Sequence, residues 1–147
     1  MLGLTALFAL AAGAAWAQEH RYVVTVAPAR PQHGFEKLSI SRATVGSNPI
    51  VVWANAAINP DCSAVVPGAT LAILSPPSHG QATVSDEPAY ISFPPDNPRS
   101  ACNDRKVPAH QVIYTAAAGF TGHDHLMLRG TSPEGWVRQI SVDVDVR

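Results

Sequence analysis

The clearest signal in the chain is its last eight residues. From Ile140 to Arg147 the apolar residues Ile140, Val142, Val144 and Val146 alternate with Ser141, Asp143, Asp145 and Arg147. A period of two with one wet face predicts a half-buried strand. A slip of one residue would bury both aspartates, so the register is well fixed. The segment opens at Gly135-Trp136, after a Ser-Pro-Glu-Gly turn. Shorter runs of the same kind recur between breakers: Arg21–Ala27, Phe35–Ala43 (with Phe35, Leu38 and Ile40 apolar), Thr70–Leu74, Gln81–Ser85, Ala89–Phe93 and Gln111–Thr115. The run Ile50–Ala54 is continuously apolar and reads as a central strand buried on both sides. No stretch of a dozen residues carries a helical apolar period. Strands this short, separated by turn residues, predict a β-sandwich or barrel.

Met1–Ala17 stands apart from this pattern. It holds no charged residue, runs apolar from Leu2 to Leu10, and ends in the small-x-small triplet Ala15-Trp16-Ala17. That reads as a signal peptide, although no Lys or Arg precedes the apolar run, with Gln18 as the new N-terminus. A domain over residues 18–147 is then expected, exported to the periplasm or beyond. The apolar run falls short of the roughly 20 residues that span a bilayer, so no membrane span is expected in the mature chain.

Composition sharpens this outline. Ten basic residues against eleven acidic ones, with no basic block or stripe, argue against a nucleic-acid surface. There are 13 prolines, 10 glycines and two cysteines. In an exported chain a lone pair, Cys62 and Cys102, reads as a disulfide. The competing reading, a pair of metal-binding thiolates, has no zinc-motif spacing to support it. The bridge would pin two irregular segments together: Asn59–Gly68 and the long Pro-rich loop Pro94–Pro108. A loop of that length is usually functional or mobile.

Two further segments carry a resemblance. Pro77-Ser78-His79-Gly80-Gln81-Ala82, followed by Val112-Ile113-Tyr114-Thr115 and then Ala118-Gly119-Phe120-Thr121-Gly122-His123-Asp124, resembles the bacterial Ig-like and cadherin-like domains of secreted and surface proteins. The likeness covers roughly Ala69 to Val146. It implies an all-β, Ig-like β-sandwich of about seven antiparallel strands, and a binding module rather than an enzyme. Two features depart from the family pattern: Ala116 stands where a proline usually follows Tyr-Thr, and His123 and His125 flank the aspartate where small residues or Thr/Ser are usual. The residues also have a reading of their own. Gly119 and Gly122 permit positive φ in a tight corner. Phe120 plugs the end of the core, Tyr114 ends a strand, and Asp124 accepts backbone N–H bonds in the corner. His79 and Gly80 read as a turn.

Six histidines remain to be placed: His20, His33, His79, His110, His123 and His125. On a strand, His123 and His125 share a face, and Met127 shares it with them. Imidazole with thioether suits copper, and His-x-His also suits zinc. A third ligand would have to come from elsewhere, His79 or His110 being the candidates if their loops converge. The plainer alternative is that the histidines lie on a solvent face. Catalysis finds no support: there is no G-x-S-x-G, no H-E-x-x-H and no phosphate-cradling glycine loop. Trp53 reads as core. Trp136 is either a lid on the core or an exposed binding aromatic. The expectation is therefore a non-enzymatic exported module that binds a protein or glycan through its end loops and has no cofactor. The alternative is a periplasmic copper or zinc binder.

Overall fold

The computed structural model describes residues 34–147. The expected leader, the strand expected at Arg21–Ala27, His20 and His33 lie outside the described residues. Nine strands follow: β1 (Gly34–Thr44), β2 (Ile50–Asn55), β3 (Thr70–Ser75), β4 (Gly80–Ser85), β5 (Ala89–Tyr90), β6 (Lys106–Val107), β7 (His110–Ala116), β8 (Gly122–Thr131) and β9 (Trp136–Val146). One 3₁₀ turn, Ser100–Cys102, precedes β6. Seven strands form a sandwich of two sheets, ordered β1-β9-β8-β3 and β2-β7-β4, while β5 and β6 form a separate ribbon. With the seven sandwich strands lettered in chain order, the sheets are B-E-D and A-G-F-C. The first strand joins the free side of the last. One pair departs from the antiparallel rule: β1 runs parallel to β9 over eleven paired residues.

The alternation at the C-terminus builds the core. Ile140, Val142, Val144 and Val146 are buried, facing Val52, Val112, Tyr114 and Ala116 of the opposite sheet, with Leu126 and Leu128 of β8 beside them. Asp143 faces outward, as the period of two requires. The run at Ile50–Ala54 is different from its expectation. β2 is an edge strand, and only Val52 is fully buried, whereas Val51 is 47% exposed. A bulge between Val51 and Trp53 resets its register against β7, so continuous apolarity here does not mean two buried faces. Trp53 packs against the core, but its Nε1 is buried without a hydrogen-bond partner.

The two ends of the sandwich differ. At one end, called here the turn end, short turns join β3 to β4 and β7 to β8. At the other, the loop end, residues 56–69 and 86–109 form two long excursions. Asn55 ties the sheets together at the loop end: its Nδ2 donates to the carbonyls of Thr70 (2.8 Å) and Thr131 (3.0 Å), at the start of β3 and the end of β8. Gly130 leaves room for this amide, since a Cβ there would lie 3.1 Å from Asn55 Nδ2.

The excursions are stapled by the Cys62–Cys102 disulfide, which closes a separation of 40 residues. Around it lies a second small core of Ile58, Cys102 and Val107, with Ala56, Cys62, Ile91 and Phe93 packed against it. The expected strand Ala89–Phe93 is accordingly shorter than its sequence pattern. Only Ala89 and Tyr90 pair, with Val107 and Lys106. Ile91 and Phe93 turn into the small core instead. Opening the bridge with Cys62→Ser and Cys102→Ser together is expected to cost about 3–4 kcal/mol, from the loop-closure entropy returned to the unfolded chain. Denaturant titration measures it, and a cost under about 1 kcal/mol would show that the small core holds the loops unaided.

Candidate functional site

The residues of the sequence motif converge on one buried carboxylate at the turn end. Asp124, on β8, is 4% exposed. Its two oxygens accept from the backbone N–H groups of Ser78 (2.9 Å), His79 (2.9 Å) and His125 (2.9 Å), and from the hydroxyl of Tyr114 (3.0 Å). Only His125 is local. The other donors come from the β3–β4 turn and from β7, so Asp124 ties the two sheets together rather than closing its own corner. The His79 ring stacks on Phe120, with centroids 4.4 Å apart and planes 6° from parallel. Gly119 and Gly122 carry φ of +78° and +124°. Gly80 is glycine for another reason. A Cβ there would lie 2.6 Å from the Thr115 carbonyl oxygen and 2.8 Å from the Tyr114 ring. The turn and the corner, read separately from the sequence, are one assembly.

Its electrostatics follow from that geometry. Burial pushes the Asp124 carboxyl up. The three backbone N–H donors and the Tyr114 hydroxyl outweigh it and hold the group below its ordinary value of 3.8. Burial, and then the hydrogen bond and charge of Asp124, push the Tyr114 phenol up to about 12. The assembly has the character of a structural clamp. The His79 ring beside it stays exposed, its Nδ1 3.8 Å from the carboxylate.

His123, His125 and Met127 share the outer face of β8 and stand opposite Asp145, Asp143 and Ser141 of β9. The Nε2 of His125 is 2.8 Å from the Ser141 hydroxyl. Among the described residues, no three His, Cys, Asp or Glu side chains converge on a metal-sized site. His79 stacks on Phe120 beside the inward-facing Asp124, whereas His123 and His125 face outward, and His110 begins β7 at the loop end.

The loop end is built differently. Arg99 reaches across it: its Nε donates to the Ile58 carbonyl, and its guanidinium lies 3.8 Å from Glu134 in the β8–β9 turn. Asn103 and the main chain of Phe93 exchange two hydrogen bonds of 2.9 Å. Gln111, largely buried, donates to the Glu87 carbonyl at 2.9 Å. Between the two excursions lies a cleft of about 370 Å³, walled by Ala56, Ala64, Val65, Ala69, Pro88 and Pro108. At its mouth His110 Nδ1 and Asp86 Oδ1 are 2.5 Å apart. The carboxylate accepts the Nδ1 proton and fixes the ring. Val66 beside the cleft is 90% exposed and Tyr90 on the ribbon 64% exposed. Trp136, half-buried at the same end, is covered by the Arg138 guanidinium 4.4 Å from its ring, and Arg138 in turn donates to Glu36 at 2.7 Å. Trp136 is thus neither a bare binding aromatic nor a core lid.

Sequence reasoning missed Asn55, Asp86, Arg99 and the pairing of His110. Each acts on a residue far away in the chain, and no local period or motif marks it. The one usable signal was the length and polarity of Pro94–Pro108.

No family model and no curated protein matches the chain. Among solved structures, the solution structure of amebosin is a neighbour with a TM-score of 0.38 and 14% identity, covering 78% of this chain and 99% of that one. At that level the likeness carries no argument.

Two outcomes are expected from these sites. Asp124→Ala leaves buried donors without an acceptor and costs about 3 kcal/mol or more, whereas Tyr114→Phe costs about 1–2 kcal/mol. Because Asp124 is depressed in the folded state, its stabilisation is present above the ordinary 3.8 and is lost as pH falls below that through the folded value. Urea denaturation from pH 6 down to pH 2 should show that loss in the wild type and a shallower one in Asp124→Asn. Equal slopes would mean that other carboxylates control acid unfolding. Calorimetric titration of metal-stripped protein with Cu(II), Cu(I) and Zn(II) is expected to give no tight stoichiometric uptake. Tight binding that vanishes in His125→Ala would restore the metal reading.

Proposed function

We propose that the protein is an exported, non-enzymatic Ig-like module of the periplasm or cell exterior that binds a protein partner through its loop end. The observation that carries this reading is the pre-stiffened cleft there. Two excursions that could have been slack are held by a disulfide, a small core and the side chains of Arg99, Asn103 and Gln111 around an open, mostly apolar depression. Binding sites are commonly loops held by a rigid scaffold, and prior ordering lowers the entropic cost of association. Export rests on the Met1–Ala17 leader pattern and on a disulfide that suits an oxidising compartment.

Between the two partner classes expected from the sequence, the cleft favours protein over glycan. Its walls are mainly small aliphatic residues and prolines, and among the described residues no Phe, Tyr or Trp lines it to stack on a sugar. An aliphatic side chain of an extended segment fits the space, with Val66, next in the chain to the lining residue Val65, exposed as a further apolar contact. His110, oriented by Asp86, offers its Nε2 to a polar group flanking that side chain.

The test uses a displayed random-peptide library selected on the purified protein. Enriched peptides should share an aliphatic anchor, lose at least tenfold in affinity when Ala64→Trp fills the cleft, and bind Ala117→Trp at the turn end normally. Peptides indifferent to Ala64→Trp would overturn the reading. So would an absence of enrichment together with binding to an oligosaccharide array.

A further inference from the structure

Among the described residues the two sheets have four edges: β1 and β3 in one, β2 and β4 in the other. A free edge presents unpaired N–H and C=O groups to any other strand, and proteins guard such edges with charges, prolines or bulges. Three of the four are guarded. β1 carries Glu36, Lys37 and Arg42, and Arg42 pairs with the core residue Val144, so a charge stands in an inward register. β2 is broken by the bulge between Val51 and Trp53, and β3 by another between Ile73 and Ser75. β4 has no guard. Its six residues, Gly-Gln-Ala-Thr-Val-Ser, hold no charge and no proline, and pair with β7 in unbroken register.

We infer that β4 is a self-association edge, on which β4 of a second copy adds in antiparallel register to make a continuous six-stranded sheet.

The phase of the ladder and the side chains both fit a second copy. The Ala117 N–H donates to the His79 carbonyl at 2.8 Å, just beyond the β4–β7 pairing. By the alternation of an antiparallel ladder, Gln81, Thr83 and Ser85 then direct their main-chain groups to β7, while Ala82 and Val84 direct theirs outward. A two-fold axis at Thr83 pairs Ala82 of one copy with Val84 of the other, and the reverse, through these outward groups. Thr83 meets Thr83, and Gln81 meets Ser85, on the opposite face. Threonine pairs across strands are favourable, and no like charges are opposed. Val84, 43% exposed, gains an apolar neighbour on the side where Ala82 already packs against the core. The interface is isologous, so it closes at two copies.

Sedimentation of the wild-type protein over micromolar to millimolar concentration should show a monomer–dimer equilibrium. Thr83→Lys and Thr83→Glu each set like charges against each other at the axis and should weaken dimerisation at least tenfold. An equimolar mixture of the two should recover a heterodimer. A fold defect would not produce that recovery. As a second arm, Thr83→Cys should oxidise to a covalent dimer much faster than Gln81→Cys, because only residue 83 meets itself. A wild type that stays monomeric throughout overturns the inference, as does a dimer unchanged by both charge variants. Peptide binding that fails with Ala64→Trp is read separately, because Ala64 lies at the loop end, away from the β4–β4 axis.

Discussion

A single buried carboxylate holds the sandwich at one end. The β3–β4 turn crosses from one sheet to the other and must leave the N–H groups of Ser78 and His79 without ladder partners. Burying such groups unsatisfied would cost more than a typical hydrogen bond returns. Asp124 supplies the acceptors from the facing sheet, and the Tyr114 hydroxyl, which reaches the same carboxylate from inside the core, completes its shell. Gly80 then lacks a side chain because the Tyr114 ring occupies the place where one would go. Asn55 does the corresponding work at the loop end with an amide, which donates where Asp124 accepts. Between these two polar staples the sheets can rely on apolar packing alone.

This division explains what was legible beforehand. The period-two alternation at Ile140–Val146 is a local property, and it located the strand, its buried face and four of the ten buried residues of the main core. The paired cysteines were legible because only one bridge is available to them. Pairing partners were less so. Nothing within Ile50–Ala54 states that β2 lies at an edge, because an apolar run looks the same whether its second face meets a neighbour or a bulge turns it aside. The motif residues were readable as types, but their convergence on Asp124 depends on separations of 45 and 46 residues. Gly80 illustrates the limit well. Its φ is not in the left-handed region, and the reason for glycine lies in a ring 34 positions away.

The loop end shows how a chain of this size keeps long connections ordered. Each excursion alone has too few apolar residues for a core. Joined at Cys62 and Cys102, the two enclose Ile58 and Val107, while Arg99 and Asn103 satisfy main-chain groups that no sheet reaches. Rigidity and a depression then arise together, since walls fixed at both ends cannot collapse into the space between them.

The parallel pairing of β1 with β9 has a mechanical consequence. The described chain enters β1 at the loop end and leaves β9 at the turn end, and the two strands lie side by side over eleven residue pairs. Tension applied between Gly34 and Arg147 therefore draws the strands past each other along their length. The whole row of hydrogen bonds is loaded in shear and must fail together, unlike a row peeled open one bond at a time. Resistance to such pulling is a matter of unfolding rate rather than equilibrium stability. A domain attached at these two points would carry load along its long axis through the strand pair least able to unzip.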